Sequence, residues 1–128
     1  MNEPCPEVDE LARDVIGAAM EVHTILGAGF LETTYEQALA VEFALRGIEF
    51  QQQLPIALSY KGRPVGESRL DFLVGGRLVV ELKAVEMLHP VHQAQVLNYL
   101  KATGHHLGLL INFNVEHLRD GIKRIVLT

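Results

Sequence analysis

Long hydrophobic runs are missing from this 128-residue chain. Although 48% of it is apolar, no stretch approaches the roughly 18 consecutive apolar residues that a membrane-spanning helix requires, so no part of it is expected to cross a bilayer. Cysteine is nearly missing too: Cys5 is alone, which leaves no partner for an internal disulfide and fits a reducing, cytoplasmic setting. The opening residues Met1 to Glu7 carry acids where a secretory leader would carry bases. No glycine-rich loop joins a strand to a helix in the manner of a nucleotide-phosphate cradle, which argues against a flavodoxin-like or nucleotide-binding domain. Nor does any repeat, low-complexity tract or linker divide the chain, and its length suits one domain spanning 1–128.

Basic charge is scarce and unevenly placed. The net charge of −5 excludes a protein that coats nucleic acid with its whole surface. Yet the first fifty residues hold ten acids against Arg13 and Arg46, while residues 51–128 hold nine bases against six acids. The second part is therefore the one suited to meet phosphate, although an acidic helical face beside a neutral sheet would give the same count.

That basic part is organised around Arg69 to Val85, two apolar strand-like runs joined at Gly75-Gly76, which reads as a β-hairpin. Register decides its chemistry, because a slip of one residue sends every side chain to the other face. A two-residue turn would mix carboxylates with aliphatics on both faces. A three-residue connection, Gly75-Gly76-Arg77 with a bulge, or an equivalent bulge elsewhere in the ladder, instead pairs Asp71 with Glu81 and Arg69 with Lys83. It also gathers Leu70, Phe72, Val74, Leu78, Val80 and Leu82 on one apolar face, with Leu73 and Val79 beside the charges on the other. Carboxylates directly opposed on a ladder have Cβ atoms ~4.5–5.5 Å apart and repel unless a cation lies between them. Mg²⁺, which takes few carboxylates and keeps several waters, suits that ligand set, with Mn²⁺ as a substitute. Lys83 would bring a point charge to the same spot.

Around the hairpin, apolar spacing predicts a helix from Val8 to Leu26 with a buried stripe of Leu11, Val15, Ala18, Val22 and Ile25, and a second helix from Leu31 to Leu45. Glu32 and Tyr35 share a face of the second helix's first turn. An acid there also stabilises the helix macrodipole without any further role. A strand runs from Ile48 to Tyr60, its Gln51, Gln52 and Gln53 expected on a solvated face, and Lys61 to Pro64 turns it towards the hairpin. His89-Pro90 opens a third helix that Gly104 closes, bringing Gln95 and Tyr99 to one face; His89 and His92 are expected to be surface residues rather than a metal pair. His106 to Phe113 reads as a strand buried on both faces and parallel to that of Glu81, followed by a last strand from Gly121 to Leu127.

The spacing Asp71…Glu81-Leu82-Lys83 resembles the D…(D/E)-x-K signature of the PD-(D/E)XK nuclease superfamily. Gly29-Phe30-Leu31-Glu32-Thr33-Thr34-Tyr35 is similar to the G-x-x-E-x-x-Y segment that names a small family of bacterial and archaeal proteins assigned to that superfamily. The likeness continues through Tyr60 to Gly62, Glu81 to Val85, Gln95 to Leu100, Gly108 to Phe113 and Gly121 to Arg124. Gly75-Gly76 departs from it, since an acidic turn is expected there. Gln95 and Tyr99 resemble the Q-x-x-x-Y motif of RecB-like members.

The resemblance implies an α/β, restriction-endonuclease-like core, a mixed β-sheet flanked by helices in the order ααβββαββ. It implies a Mg²⁺-dependent nuclease acting on DNA or RNA, with Asp71, Glu81, Lys83, Gln95 and Tyr99 as catalytic candidates. Glu32, Asp71, Glu81 and the Leu82 carbonyl are the candidate metal ligands. The competing expectation is a catalytically silent binding or regulatory subunit of the same fold, whose hairpin charges merely pair with one another. Nucleic acid is the expected partner, a membrane is not, and a homodimer or a larger protein complex is compatible with either reading.

Overall fold

In the computed structural model, which describes residues 5–128, α1 covers Pro6–Leu26 and α2 Glu32–Leu45, followed by β1 Phe50–Tyr60, β2 Arg63–Val74 and β3 Leu78–Lys83. Helix α3, Pro90–Thr103, crosses to β4, Leu107–Asn112, and a short 3₁₀ turn at Leu118–Gly121 leads to β5, Ile122–Val126. The five strands lie in chain order in one sheet, with β3 and β4 parallel and the other pairs antiparallel. The parallel pair is the one joined through a helix, as a crossover connection requires. Among the described residues no helix is long and apolar enough to cross a membrane.

The sheet separates two apolar layers. On one side α1 and α2 cover Phe72, Val74, Leu78, Val80 and Leu82; on the other, Val96, Tyr99 and Leu100 of α3 cover Leu73, Val79 and Leu110. Strand β4 is buried at every position, which explains its unbroken aliphatic run. The α1 stripe is rotated from the expected one: Val8, Ala12, Val15, Ala19 and Val22 are buried with Ala18, whereas Ile25 is 71% exposed. Leu26 takes its place against the core, because a 3.6-residue period started from Val8 reaches Leu26 rather than Ile25.

Both hairpins obey their glycines. Lys61 (φ 50°) and Gly62 (φ 77°) make a two-residue turn with positive φ at both central positions, the geometry that matches strand twist. Gly75 (φ 59°) and Gly76 (φ 69°), with Arg77, make the expected three-residue connection, so Val74 faces Leu78, Leu73 faces Val79 and Phe72 faces Val80. Gly75 has a second reason to lack a side chain, since a Cβ there would lie 2.8 Å from Leu11 Cδ1.

One part of the expected face partition is overturned. Leu70 is buried with Leu73 and Val79 on the α3 side, while Phe72, two residues on, is buried on the α1–α2 side. Strict alternation therefore breaks at Asp71. Across the ladder Gln53 adopts φ 52°, a left-handed conformation rare for a non-glycine residue, between the paired positions Gln52↔Phe72 and Leu54↔Leu70. The ribbon turns over at this point, and parity counted from the sequence cannot see such a turn.

Candidate active site

The site lies where β2 and β3 part. Their ladder ends at Phe72↔Val80, and the next residues, Asp71 and Glu81, meet through side chains instead. The Asp71 N–H donates to Glu81 Oε2 at 2.6 Å, and the Leu82 N–H donates to Asp71 Oδ2 at 2.8 Å. Each carboxylate thus accepts from the backbone of the opposite strand, taking the place of a carbonyl. The hairpin brings Asp71 and Glu81 together as the register argument expects, and the hydrogen bonds show why two acids are tolerated there: each satisfies a strand donor that the parting of the strands would orphan.

Tolerance is incomplete. Glu81 is only 5% exposed, and burial, reinforced by the charge of Asp71, pushes its carboxyl up to about 8. Asp71 is raised as well, by burial first, against the opposing Leu82 N–H bond. Lys83 is half-buried and lowers both, yet it forms no ion pair among the described residues. The competing expectation that Asp71 and Glu81 simply pair with Arg69 or Lys83 is therefore not met; Arg69 donates instead to the Gln53 carbonyl at 3.3 Å.

Glu32 stands at the first residue of α2, half-buried, its carboxyl raised by burial and then by the charge of Asp71. It belongs to the same electrostatic neighbourhood. Tyr35 does not: its hydroxyl donates to the Gly27 carbonyl at 2.6 Å and accepts the Phe30 N–H at 3.1 Å, while its ring stacks on Phe113 at 4.6 Å. The tyrosine of the G-x-x-E-x-x-Y segment is a latch for the α1–α2 loop, not a partner of Glu32.

Glu36 belongs to the site and the sequence reading missed it. It is buried, and it accepts Nε2–H bonds from Gln52 at 2.7 Å and from Gln53 at 3.0 Å. Gln53 Nε2 also lies 3.2 Å from Asp71 Oδ1, so one amide ties Glu36 on α2 to Asp71 on β2. The glutamines expected on a solvated face are in part turned inward; of the three only Gln51 is exposed. The available signal was the four-residue step from Glu32 to Glu36, which places both acids on one side of α2.

On α3 the two expected residues diverge. Tyr99 is buried, its hydroxyl 2.8 Å from Ser68 Oγ on β2. Gln95 is exposed and makes no hydrogen bond to Glu81 or Lys83, so the expectation that it turns away from solvent is not met. His92 Nδ1 accepts the His89 N–H at 3.0 Å and closes the first turn of α3. At the far end of β3, buried Asn112 accepts the Val85 N–H at 3.1 Å and donates to the Val85 carbonyl at 2.9 Å, and the Phe113 N–H donates to the Lys83 carbonyl at 2.9 Å. The strand that carries Glu81 and Lys83 is thereby fixed at its exit.

The donor chemistry suits a hard divalent cation: carboxylate oxygens and a strand carbonyl, in a place whose negative charge is costly without one. The ligands are not gathered into a finished cage. Among the described residues no three Asp, Glu, His or Cys side chains stand close enough to hold an ion together. Both Asp71 oxygens and Glu81 Oε2 are engaged by N–H groups, and a cation would compete for them. A cleft of about 780 Å³ between the end of α1 and the loop after β4, lined by His23, Thr24, Val115, His117 and Arg119 among others, does not include the carboxylates. The site is marked by charge, not by cavity size.

A family model described as the PD-(D/E)XK nuclease superfamily matches residues 9–125, from the first turn of α1 to the end of β5. No curated protein and no solved structure gives a match.

Proposed function

Since the chain belongs to the PD-(D/E)XK nuclease superfamily and carries its restriction-endonuclease-like fold, we propose that it is a metal-dependent phosphodiesterase hydrolysing DNA or RNA, with Mg²⁺ as the ion and Mn²⁺ able to replace it. Members of the superfamily usually act with divalent metals. The observation that carries the reading is the crossed pair: buried Glu81 and half-buried Asp71 at the open end of a hairpin, both raised first by burial, with the charge of Asp71 adding to the rise of Glu81 and that of Glu36 to the rise of Asp71, and beside them Lys83, which forms no ion pair among the described residues. Repulsion kept in a folded site is what a cation would relieve.

Asp71, Glu81 and the Leu82 carbonyl would hold the ion, with Glu32 adding a carboxylate from α2, directly or through water. A bound divalent ion supplies a water of lowered pKa and neutralises charge on the phosphate. Lys83 places its ammonium beside the same phosphate or the attacking water. Gln53 and Glu36 orient Asp71. Of the RecB-like pair, Tyr99 fixes the neighbouring turn of β2 through Ser68, and Gln95, free at the surface, is available to a bound strand. The likeness of the segment from Gly29 to Tyr35 to the G-x-x-E-x-x-Y motif supports placing the chain with that family within the superfamily.

The test is cleavage of labelled DNA and RNA by the wild type and by Glu81→Gln, in Mg²⁺, in Mn²⁺ and in chelator. Activity that needs the ion and is lost in Glu81→Gln, with thermal melts showing a folded variant, supports the reading. Equal activity in both proteins overturns it. A silent binding or regulatory subunit is the second reading, favoured by the engagement of both carboxylates with backbone N–H groups. It is what a wild type without cleavage in any divalent ion would leave. Glu32 is tested separately: a ligand role predicts ~10–100-fold weaker Mn²⁺ binding in Glu32→Gln, whereas a macrodipole role costs under ~1 kcal/mol of stability and leaves the affinity alone.

A further inference from the structure

Beyond Asp71 the β1–β2 hairpin continues without a third strand. Its ladder runs from Phe50↔Val74 to Tyr60↔Arg63, whereas β3 pairs only with Phe72 to Val74. From Leu54 to Tyr60, at ~3.3 Å per residue, the free ribbon reaches roughly 20 Å from the carboxylates. One of its faces is covered, since Leu54, Ile56 and Leu58 pack with Leu70 against the α3 cluster and Ser68 meets Tyr99. The other face has no helix over it. There Pro55 faces Arg69 and Ala57 faces Glu67, all four exposed.

The charge on this arm opposes that of the chain. Lys61, Arg63 and Arg69 are exposed against one acid, Glu67, in a protein of net −5. The tip adds exposed Tyr60 and Val65, each 63% accessible, with Lys61 Nζ 5.4 Å from the Tyr60 ring centre. Pro55 and Ala57 on one strand, opposite Arg69 and Glu67 on the other, give a low surface with a cation at its inner end, and Lys61 and Arg63 add two more at the tip. Such a ribbon fits the ~12 Å wide major groove of B-form DNA, which admits two paired strands. It does not fit the narrow, deep major groove of A-form RNA.

Building on the nuclease reading, we propose that the β1–β2 arm is a duplex-DNA clamp. Its α3-free face lies along the major groove, Lys61, Arg63 and Arg69 rest on phosphates, and the strand that carries Arg69 leads the backbone to Asp71 two residues further on. The acids of α1 and α2 repel the duplex from the helical side of the molecule and favour approach along the arm.

The experiment is fluorescence anisotropy with a labelled 20-base-pair DNA duplex, the same sequence as duplex RNA, and one DNA strand alone, across a salt series in chelator so that no cleavage intervenes. The wild type is expected to prefer duplex DNA. In the triple variant Lys61→Ala, Arg63→Ala, Arg69→Ala the slope of log affinity against log salt should become shallower by ~2.7, about 0.9 for each phosphate that no longer meets a cation. Lys101→Ala, an exposed charge on α3, should change nothing. Glu67→Lys should bind more tightly than wild type, an outcome that misfolding cannot produce. An unchanged slope in the triple variant, equal or better binding of duplex RNA or of the single strand, or no binding by the wild type at 50 mM salt would overturn the clamp. Cleavage that persists when the arm is neutralised overturns the clamp and spares the nuclease reading. Arm-dependent binding with no cleavage in any divalent ion does the reverse.

Discussion

The two ends of the β2–β3 hairpin are made from the same strands and do opposite things. Near the Gly75-Gly76 turn, the three regular pairs from Phe72↔Val80 to Val74↔Leu78 bury every side chain. One step further the ladder is replaced by crossed carboxylate bonds between Asp71 and Glu81, and charge is buried where the other end buries aliphatics. The first end stabilises the fold and the second draws on that stability. A pair of acids in repulsion can persist only because the neighbouring residues are packed tightly enough to hold the strands in place.

The comparison breaks most severely from the packed end. Phe72 meets the rings of Phe43 at 5.3 Å and Phe50 at 5.7 Å and is fully buried, so Phe72→Ala is expected to cost ~3–5 kcal/mol. Urea unfolding would measure it, and a loss below ~1 kcal/mol would mean that this end is not the support described.

The charged end responds through pH. Glu81 is held near 8 in the folded protein against 4.5 ordinarily, so the folded state keeps its proton where the unfolded chain has released it. The associated stability is fully present below pH ~4.5 and is lost as pH rises through ~8, an effect on the order of a few kcal/mol. Melting temperatures taken in chelator between pH 5 and pH 8.5 should fall for the wild type and stay flatter for Glu81→Gln, which retains an acceptor for the Asp71 N–H. Glu81→Ala removes the charge but also that acceptor, and should melt below the Gln variant at every pH. A flat wild-type profile would remove the electrostatic half of the comparison.

Much of the packed end was legible in the sequence. Aliphatic parity selected the three-residue turn, the helix between β3 and β4 required a parallel pair, and Pro and Gly marked the ends of α3. The charged end was legible only in part. Asp71, Glu81 and Lys83 follow from the register, but Glu36 and the inward glutamines depend on α2 meeting β1, an approach with no local pattern. Leu70 was misplaced because the turn of the ribbon at Gln53 is a backbone event that side-chain alternation does not record. The face that Tyr35 shares with Glu32 does not bring its hydroxyl to the site, because spacing places a residue on a face without saying what its hydroxyl meets.

The smallest expected effect lies at that turn. Gln53→Gly relieves a left-handed conformation worth ~1–2 kcal/mol and gives up the bonds to Glu36 and Asp71, worth a similar amount. Stability should change little while Mn²⁺ affinity falls ~10–100-fold, because Asp71 loses the amide that aims it. Parallel thermal melts and calorimetric titration check this. An unchanged affinity would reduce the Glu36–Gln53 link to packing alone.

The clasp between Asn112 and Val85 gives the two strands of the site unequal freedom. Strand β3 is pinned at its exit by the side chain of Asn112 and by the Phe113 N–H, and along its length by β4. Strand β2 on the far side of Asp71 pairs with β1 alone, which turns over with it, and rests one face on α3. One strand is therefore anchored through a neighbouring strand and a side-chain clasp, the other through its hairpin partner and a helix. Whatever enters between Asp71 and Glu81 meets Glu81 and Lys83 on the strand that β4 sets along its whole length, and Asp71 where the ribbon turns over at Gln53.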